Sequence, residues 1–176
     1  MSESKKEIKW SFSVWIYYPN LLIPGCPLNW TEFKNSCYWL SDTTLSWADA
    51  NTHCQQENSN LASILSAEED EFLVAEFVTD DRNFIWLGGH EENDVEGAWV
   101  WTDGAPFSCY TDWRQGQPDN LNGNEDCLCL MDSRYDGQFN DIDCTQKKKF
   151  LCKKWRGAII ACCCLSCIII TPGCIQ

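Results

Sequence analysis

Between Gln117 and Asp141 the chain carries five oxygen-bearing side chains: Gln117, Asp119, Glu125, Asn140 and Asp141. Three carboxylates and two amides suit a hard cation, which takes roughly 6–8 oxygen ligands, and no histidine or thiolate stands among the five to favour zinc or copper. Ca2+ is therefore the expected ion. Gly116 and Pro118 mark a turn, and Asn120-Leu121-Asn122-Gly123-Asn124 marks a loop, so the ligands converge from loops rather than from a helix or a central strand. The plain competing reading is that Asp, Asn and Gly are common in any solvated surface loop.

The rest of the chain must build a scaffold that holds those loops. With 176 residues, 44% of them hydrophobic and 13% aromatic, it has enough apolar material for one compact domain with a real core. The formal charge of -13 is uneven: 20 acidic residues lie between Glu68 and Asp143 against Arg82, Arg114 and Arg134. Such a field repels phosphate and excludes nucleic acid as a partner, while it lowers the cost of holding a divalent cation. Thirteen cysteines without a Cys/His zinc spacing through the body of the chain point to an oxidising compartment. Eight of them run from Cys26 to Cys152 and permit 105 pairings. The other five, Cys162, Cys163, Cys164, Cys167 and Cys174, crowd into the tail.

Cys26-Pro27-Leu28-Asn29-Trp30 and Ser36-Cys37-Tyr38-Trp39 stand at hairpin distance, so a Cys26–Cys37 bridge could staple two short strands. Asn29-Trp30-Thr31 is a glycosylation sequon. Ser46 three residues before Asp49, with Trp47, Ala50, Asn51 and Cys54 at helical spacing, predicts a helix over about 45–57 with Cys54 on its inner face. His53 reads as a surface or packing residue. Ser66, with Glu69 three residues on, caps a second helix that should bury Phe72, Leu73, Ala75, Phe77 and Val78. The apolar run from Phe84 to Gly89 predicts a strand buried on both faces, and Trp99-Val100-Trp101 a further strand ending in the turn Thr102-Asp103-Gly104. Trp113 is an anchor for the long loop, residues 127–132 alternate as a strand does, and Phe150-Leu151-Cys152-Lys153 closes the domain.

In order, spacing and cysteine placement, Gln117-Pro118-Asp119, Glu125-Asp126-Cys127 and Phe139-Asn140-Asp141 before Cys144 resemble the calcium and sugar site of C-type lectin domains. Leu61-Ala62-Ser63-Ile64 before the acid-capped helix and Trp86-Leu87-Gly88-Gly89 resemble further marks of that family, although Gly89 stands where a large residue is usual and suggests a smaller core. The resemblance covers roughly residues 26–155 and implies an α+β fold in the long form of the family, with two helices, small antiparallel sheets, a long calcium-binding loop and several disulfides. It implies the pairs Cys54–Cys152 and Cys127–Cys144, with Cys26–Cys37 as the third. That leaves Cys109 and Cys129, for which a fourth bridge is expected; the rival is a link between two chains through one of them, which would make an oligomer.

In the family's sugar site the peptide before the proline is cis, which here means Gln117–Pro118. The resemblance gives Gln117, Asp119, Glu125, Asn140 and Asp141 the holding of both Ca2+ and sugar. Amides donate to the sugar hydroxyls and carboxylates accept from them. Gln before Asp is the family's order for galactose and N-acetylgalactosamine, whereas Glu before Asn goes with mannose. Leu121 stands where strong galactose binders have a tryptophan, which implies weak affinity at a single site, and Phe139 replaces the usual tryptophan before Asn140. An auxiliary calcium would use Glu96, Asn120, Glu125, Asp126 and an acid at Glu91 or Glu92.

The expected function is calcium-dependent capture of galactose-type glycans or glycoproteins, on cells or microbes, by an extracellular protein, secreted or displayed at a surface. The alternative is a module of the same fold that binds a protein or ice. No enzyme is expected: His53 and His90 are the only histidines, no serine or cysteine nucleophile lies in a recognisable motif, and calcium would keep the Asp119 and Glu125 carboxylates ionised, denying a glycosidase its general acid. Residues 1–25 read as an atypical signal or anchor, or as a wrongly joined first exon; the stretch Trp10–Ile23 is too short and broken to span a bilayer. Residues 156–176 read as a cysteine-rich apolar tail, either a palmitoylated or interfacial anchor or translated non-coding sequence. Membrane association is expected only if one of these ends acts as an anchor.

Overall fold

A computed structural model describes residues 25–79 and 84–156. The expectations for a leader over 1–25 and a tail over 156–176 lie, apart from their inner edges, outside the described residues. The described strands are β1 (Thr31–Phe33), β2 (Ser36–Leu40), β3 (Asn60–Leu61), β4 (Ile85–Glu91), β5 (Trp99–Trp101), β6 (Cys127–Leu130), β7 (Phe139–Ile142) and β8 (Lys149–Trp155), and the helices are α1 (Trp47–Gln56) and α2 (Ala67–Phe77).

Both helices begin where the sequence places their caps. Ser46 Oγ accepts the Asp49 N–H at 3.3 Å and Ser66 Oγ accepts the Glu69 N–H at 3.2 Å, each satisfying one of the donors that a helix start leaves unpaired. α1 buries Ala50 and Cys54, four apart on one face, and the Cys54–Cys152 disulfide ties that face to β8. α2 departs from its expected burial. Leu73 and Val78 are buried, but Ala75 is exposed, and two acids of the first turn, Glu69 and Asp70, point inward with 7% and 6% exposure. Glu69 has partners there: Leu65 N–H donates to Oε2 at 2.8 Å, the Tyr38 hydroxyl donates to Oε1, and Lys153 Nζ lies 2.6 Å from Oε1. An apolar helix face therefore is not the only thing that docks α2; a buried ion pair does so as well.

The strands form one mixed sheet in the order β1-β2-β8-β4-β6-β7, with β3 on β8 and β5 on β4. Two antiparallel leaves meet along a parallel seam, where Ile85 faces Lys149 and Trp86 faces Phe150. The expected small antiparallel sheets are thus joined. β4 is buried on both faces as its apolar run requires. Gly89 does not leave a smaller core: a Cβ there would meet Leu128 Cβ and Cδ1 at 2.9 Å, so β6 has moved its leucine into that space. At Gly88 a Cβ would stand 2.6 Å from the Leu61 carbonyl oxygen, and only glycine admits so close an approach of β3. Trp86 and Trp101, with 0% and 2% exposure, are core residues as expected.

Three of the expected disulfides are present: Cys26–Cys37, Cys54–Cys152 and Cys127–Cys144. The fourth is not. Cys129 is a free thiol, fully buried on β6 among Trp86, Phe150 and Ile142, and Cys109 is disulfide-bonded but not to it. The physical reason is placement: strand alternation turns Cys129 into the core, whereas Cys109 lies half-buried in a loop turn at Phe107–Cys109. No helix among the described residues is long and apolar enough to cross a membrane.

Candidate metal and ligand site

The loop from 102 to 126 is held to the sheet by its aromatic residues. Trp113 forms a bridge beside Phe139, with the Phe139 N–H donating to the Asp112 carbonyl at 2.8 Å and the Arg114 N–H to the Phe139 carbonyl at 3.0 Å. Trp113 also packs edge-on against Trp99 and Phe139, at 5.0 and 6.0 Å between ring centres. The anchor expected of Trp113 is thus in place. Immediately after it, the Gln117 N–H donates to the Arg114 carbonyl at 2.8 Å, and the Gln117–Pro118 peptide is cis.

From this anchor the chain brings the sequence-derived residues to the end of β7. Asp119, Glu125 and Asp141 each offer a carboxylate oxygen within 4.8 Å of the others, a spacing that could hold a metal ion. Asp141 is fully buried and braces the loop, its Oδ1 accepting the Asp119 N–H at 3.2 Å and its Oδ2 the Asn120 N–H at 2.7 Å. Glu125 accepts the Leu121 N–H at 3.0 Å, while its own N–H donates to Asn120 Oδ1 at 3.0 Å. Asn140, 8% exposed on β7, donates its amide to the Asp141 carbonyl at 2.6 Å. Gln117 Oε1 is buried and has no hydrogen-bond partner.

The electrostatics are those of acids crowded together. Burial pushes both the Asp141 and the Glu125 carboxyls above the usual carboxylate range, although backbone N–H donors pull the other way; Asp119 adds to the rise in both. A cation would relieve that crowding, and the Gln117 side-chain oxygen is a buried acceptor still in need of a partner. The residues present therefore fit a hard, oxygen-liganded ion.

The residues named for an auxiliary ion are close by but arranged differently. Asn120 Nδ2 donates to Glu96, and Glu91, 7% exposed, accepts the Gly97 N–H on Oε1 at 2.6 Å. Asp126 contributes its backbone carbonyl, which accepts the Glu91 N–H at 3.0 Å. Between the two candidate acids Glu91 faces inward and Glu92 is exposed, which the sequence left open. Among the described residues, the group of acids with metal-binding spacing contains Glu125 of the auxiliary set but not Glu91, Glu92, Glu96 or Asp126. The bracing by Asp141 has no signature in the sequence, since it depends on the burial of that carboxylate in β7. His53 and His90 are ring-packing residues, stacked on Trp39 at 5.5 Å and tilted against Trp47 at 4.9 Å.

A two-helix domain whose mixed sheet presents an anchored loop with clustered acids is the architecture of a lectin-like recognition domain. The chain belongs to the C-type lectin family: residues 43–154 match the Lectin C-type domain. It is 40% identical to mouse asialoglycoprotein receptor 2 over 137 residues, 74% of this chain and 42% of that protein. It thus spans less than half the length of such receptors. It is 38% identical to perlucin of Haliotis laevigata over 75% of this chain and 84% of that protein. Among solved structures, the carbohydrate-recognition domain of the mouse scavenger receptor C-type lectin is similar with a TM-score of 0.68 and 36% identity, covering 76% of this chain and all of that one.

Proposed function

We propose that the loop site binds Ca2+ and, through it, glycans or glycoproteins with a preference for galactose-type sugars, in an extracellular setting. The observation that carries this reading is the cluster of Asp119, Glu125 and Asp141 within 4.8 Å, together with the unpartnered buried oxygen of Gln117 two residues before Asp119. Gln117, Asp119, Glu125, Asn140 and Asp141 would hold the ion. Bound calcium would supply positive charge and open coordination places for adjacent sugar hydroxyls. The Gln117 and Asn140 amides donate to those hydroxyls, and the Asp119 and Glu125 carboxylates accept from them, so the order of donors and acceptors selects hydroxyl geometry. Amide before acid across Pro118 favours galactose and N-acetylgalactosamine. A relative named as an asialoglycoprotein receptor supports a glycoprotein ligand. The disulfides support an oxidising, extracellular compartment. The auxiliary group of Glu91, Glu96, Asn120, Glu125 and Asp126 braces the loop through hydrogen bonds and would take an ion only by rearranging them.

The test is retention of the full chain on immobilised galactose and mannose, each with Ca2+ and with chelator, beside the Gln117→Glu, Asp119→Asn double variant. The expected outcome is galactose retention that chelator abolishes and that the variant shifts towards mannose. Retention by neither sugar, with calcium still raising the melting temperature, would overturn the sugar reading and leave a protein or ice ligand.

A further inference from the structure

Away from the loop site, and sharing no residue with it, Leu28, Asn29, Trp30, Trp39, His53 and Glu57 line a recess of about 230 Å³. We propose that this recess seats a sugar ring, and that its occupant is the first N-acetylglucosamine of a glycan carried by Asn29 itself. The inference does not depend on the lectin reading.

The walls are aromatic. Trp30 and Trp39 stack at 6.2 Å and 29°, and His53 stacks on Trp39 at 5.5 Å and 16°. The rim is polar, with Asn29 and Glu57 exposed and His53 half-buried. A pyranose has the complementary surface: one face of C–H bonds for the rings and an edge of hydroxyl and acetamido groups for the side chains. The volume is below the roughly 300–1,000 Å³ of pockets for drug-sized ligands, so a single ring fits it. A cationic occupant is disfavoured, because Lys154 Nζ already sits 3.9 Å over the Trp30 ring and donates to the Glu57 carbonyl at 3.2 Å.

What selects a tethered sugar is the position of the sequon. Asn29-Trp30-Thr31 has its acceptor at the recess wall and its middle residue among the stacking rings. Asn29 stands in a turn closed by the Trp30 N–H on the Pro27 carbonyl at 3.0 Å, with φ of 67°, a conformation that asparagine tolerates better than most residues. The asparagine is exposed, as a glycan requires. A sugar attached there needs only weak intrinsic affinity, since the covalent bond supplies a high effective concentration.

The experiment is secretion of the full chain from eukaryotic cells, as wild type, as Asn29→Gln and as Thr31→Ala, with an endoglycosidase used to trim the wild type to one residual sugar. The expected result is a glycan mass on wild type only. The trimmed protein should also melt about 2–4 °C above Asn29→Gln. That difference should vanish in a Trp30→Leu background. Secreted protein without glycan, or trimmed protein melting with Asn29→Gln, would overturn the proposal. A second arm titrates Asn29→Gln with free N-acetylglucosamine in chelator, which silences the loop site, while tryptophan fluorescence is read. Absence of saturation is expected; saturation at low millimolar sugar would overturn tethering in favour of a free ligand.

Discussion

Asp141 has two tasks that separate by substitution. Its oxygens accept from Asp119 and Asn120, which fixes the loop, and one of them faces the cation cluster. Asp141→Asn removes one acceptor and should cost about 1–3 kcal/mol even with chelator present, whereas Glu125→Gln keeps a carbonyl for the Leu121 N–H and should lose only the calcium-dependent rise in melting temperature. Urea unfolding with and without Ca2+ distinguishes them. Leu121 is 58% exposed at the site's rim, so Leu121→Trp has room for its ring and should tighten the proposed galactose binding about fivefold by sugar stacking, read by isothermal titration. Asp70 is a different kind of acid. Tyr110 donates to its Oδ2 at 2.8 Å, its Oδ1 has no partner, and burial raises its carboxyl to about 6. Because the folded value lies above the unfolded one, its contribution favours folding below about pH 4 and is lost as the pH rises through 6. Asp70→Asn should therefore stabilise the protein by about 2 kcal/mol at pH 7.5 and by almost nothing at pH 4, as urea midpoints at the two pH values would show.

At the scale of elements, α2 is fastened by Glu69 and Lys153 at 2.6 Å, both almost fully buried. Lys153→Met leaves the Glu69 carboxylate without its counter-charge and should destabilise by about 3–5 kcal/mol, much of it recovered by Glu69→Gln in the same chain. Neither residue could be assigned this role from the sequence, because acids in a first helical turn equally complement the helix dipole from solvent. The caps were legible, since Ser46 and Ser66 stand three residues before acids in the one spacing that lets an oxygen reach the backbone. The strand 85–91 was legible from its apolar run, and the ligand loop from residue chemistry and family order. The exposure of Ala75, the filling of the Gly89 gap by Leu128 and the separation of Cys129 from Cys109 were not legible. Each depends on which neighbour arrives from far along the chain, and local spacing carries no record of that.

For the whole molecule, the acidic field and the loop site are one electrostatic system. Crowded carboxyls at Asp141 and Glu125 bind protons more readily than ordinary acids, and a cation held there would have to displace those protons. The proposed galactose retention should fall as pH drops from neutral towards the carboxylate range, because protons compete with the cation for the same oxygens. Retention unchanged at pH 4.5 would count against a carboxylate-held ion. Reduction of Cys54–Cys152, which closes 98 positions of chain, should lower stability by several kcal/mol, about 4–5 in the disputed chain-entropy account.

The sheet's middle strand comes from the end of the domain: β8 lies between β2 and β4 and also carries β3. A ribosome that has reached β7 has made every other strand of the sheet, yet three of them still lack the neighbour they share. Folding of this domain therefore waits for release of its last residues from the exit tunnel, and a nascent chain stalled before Lys149 should be open to protease however long it is held.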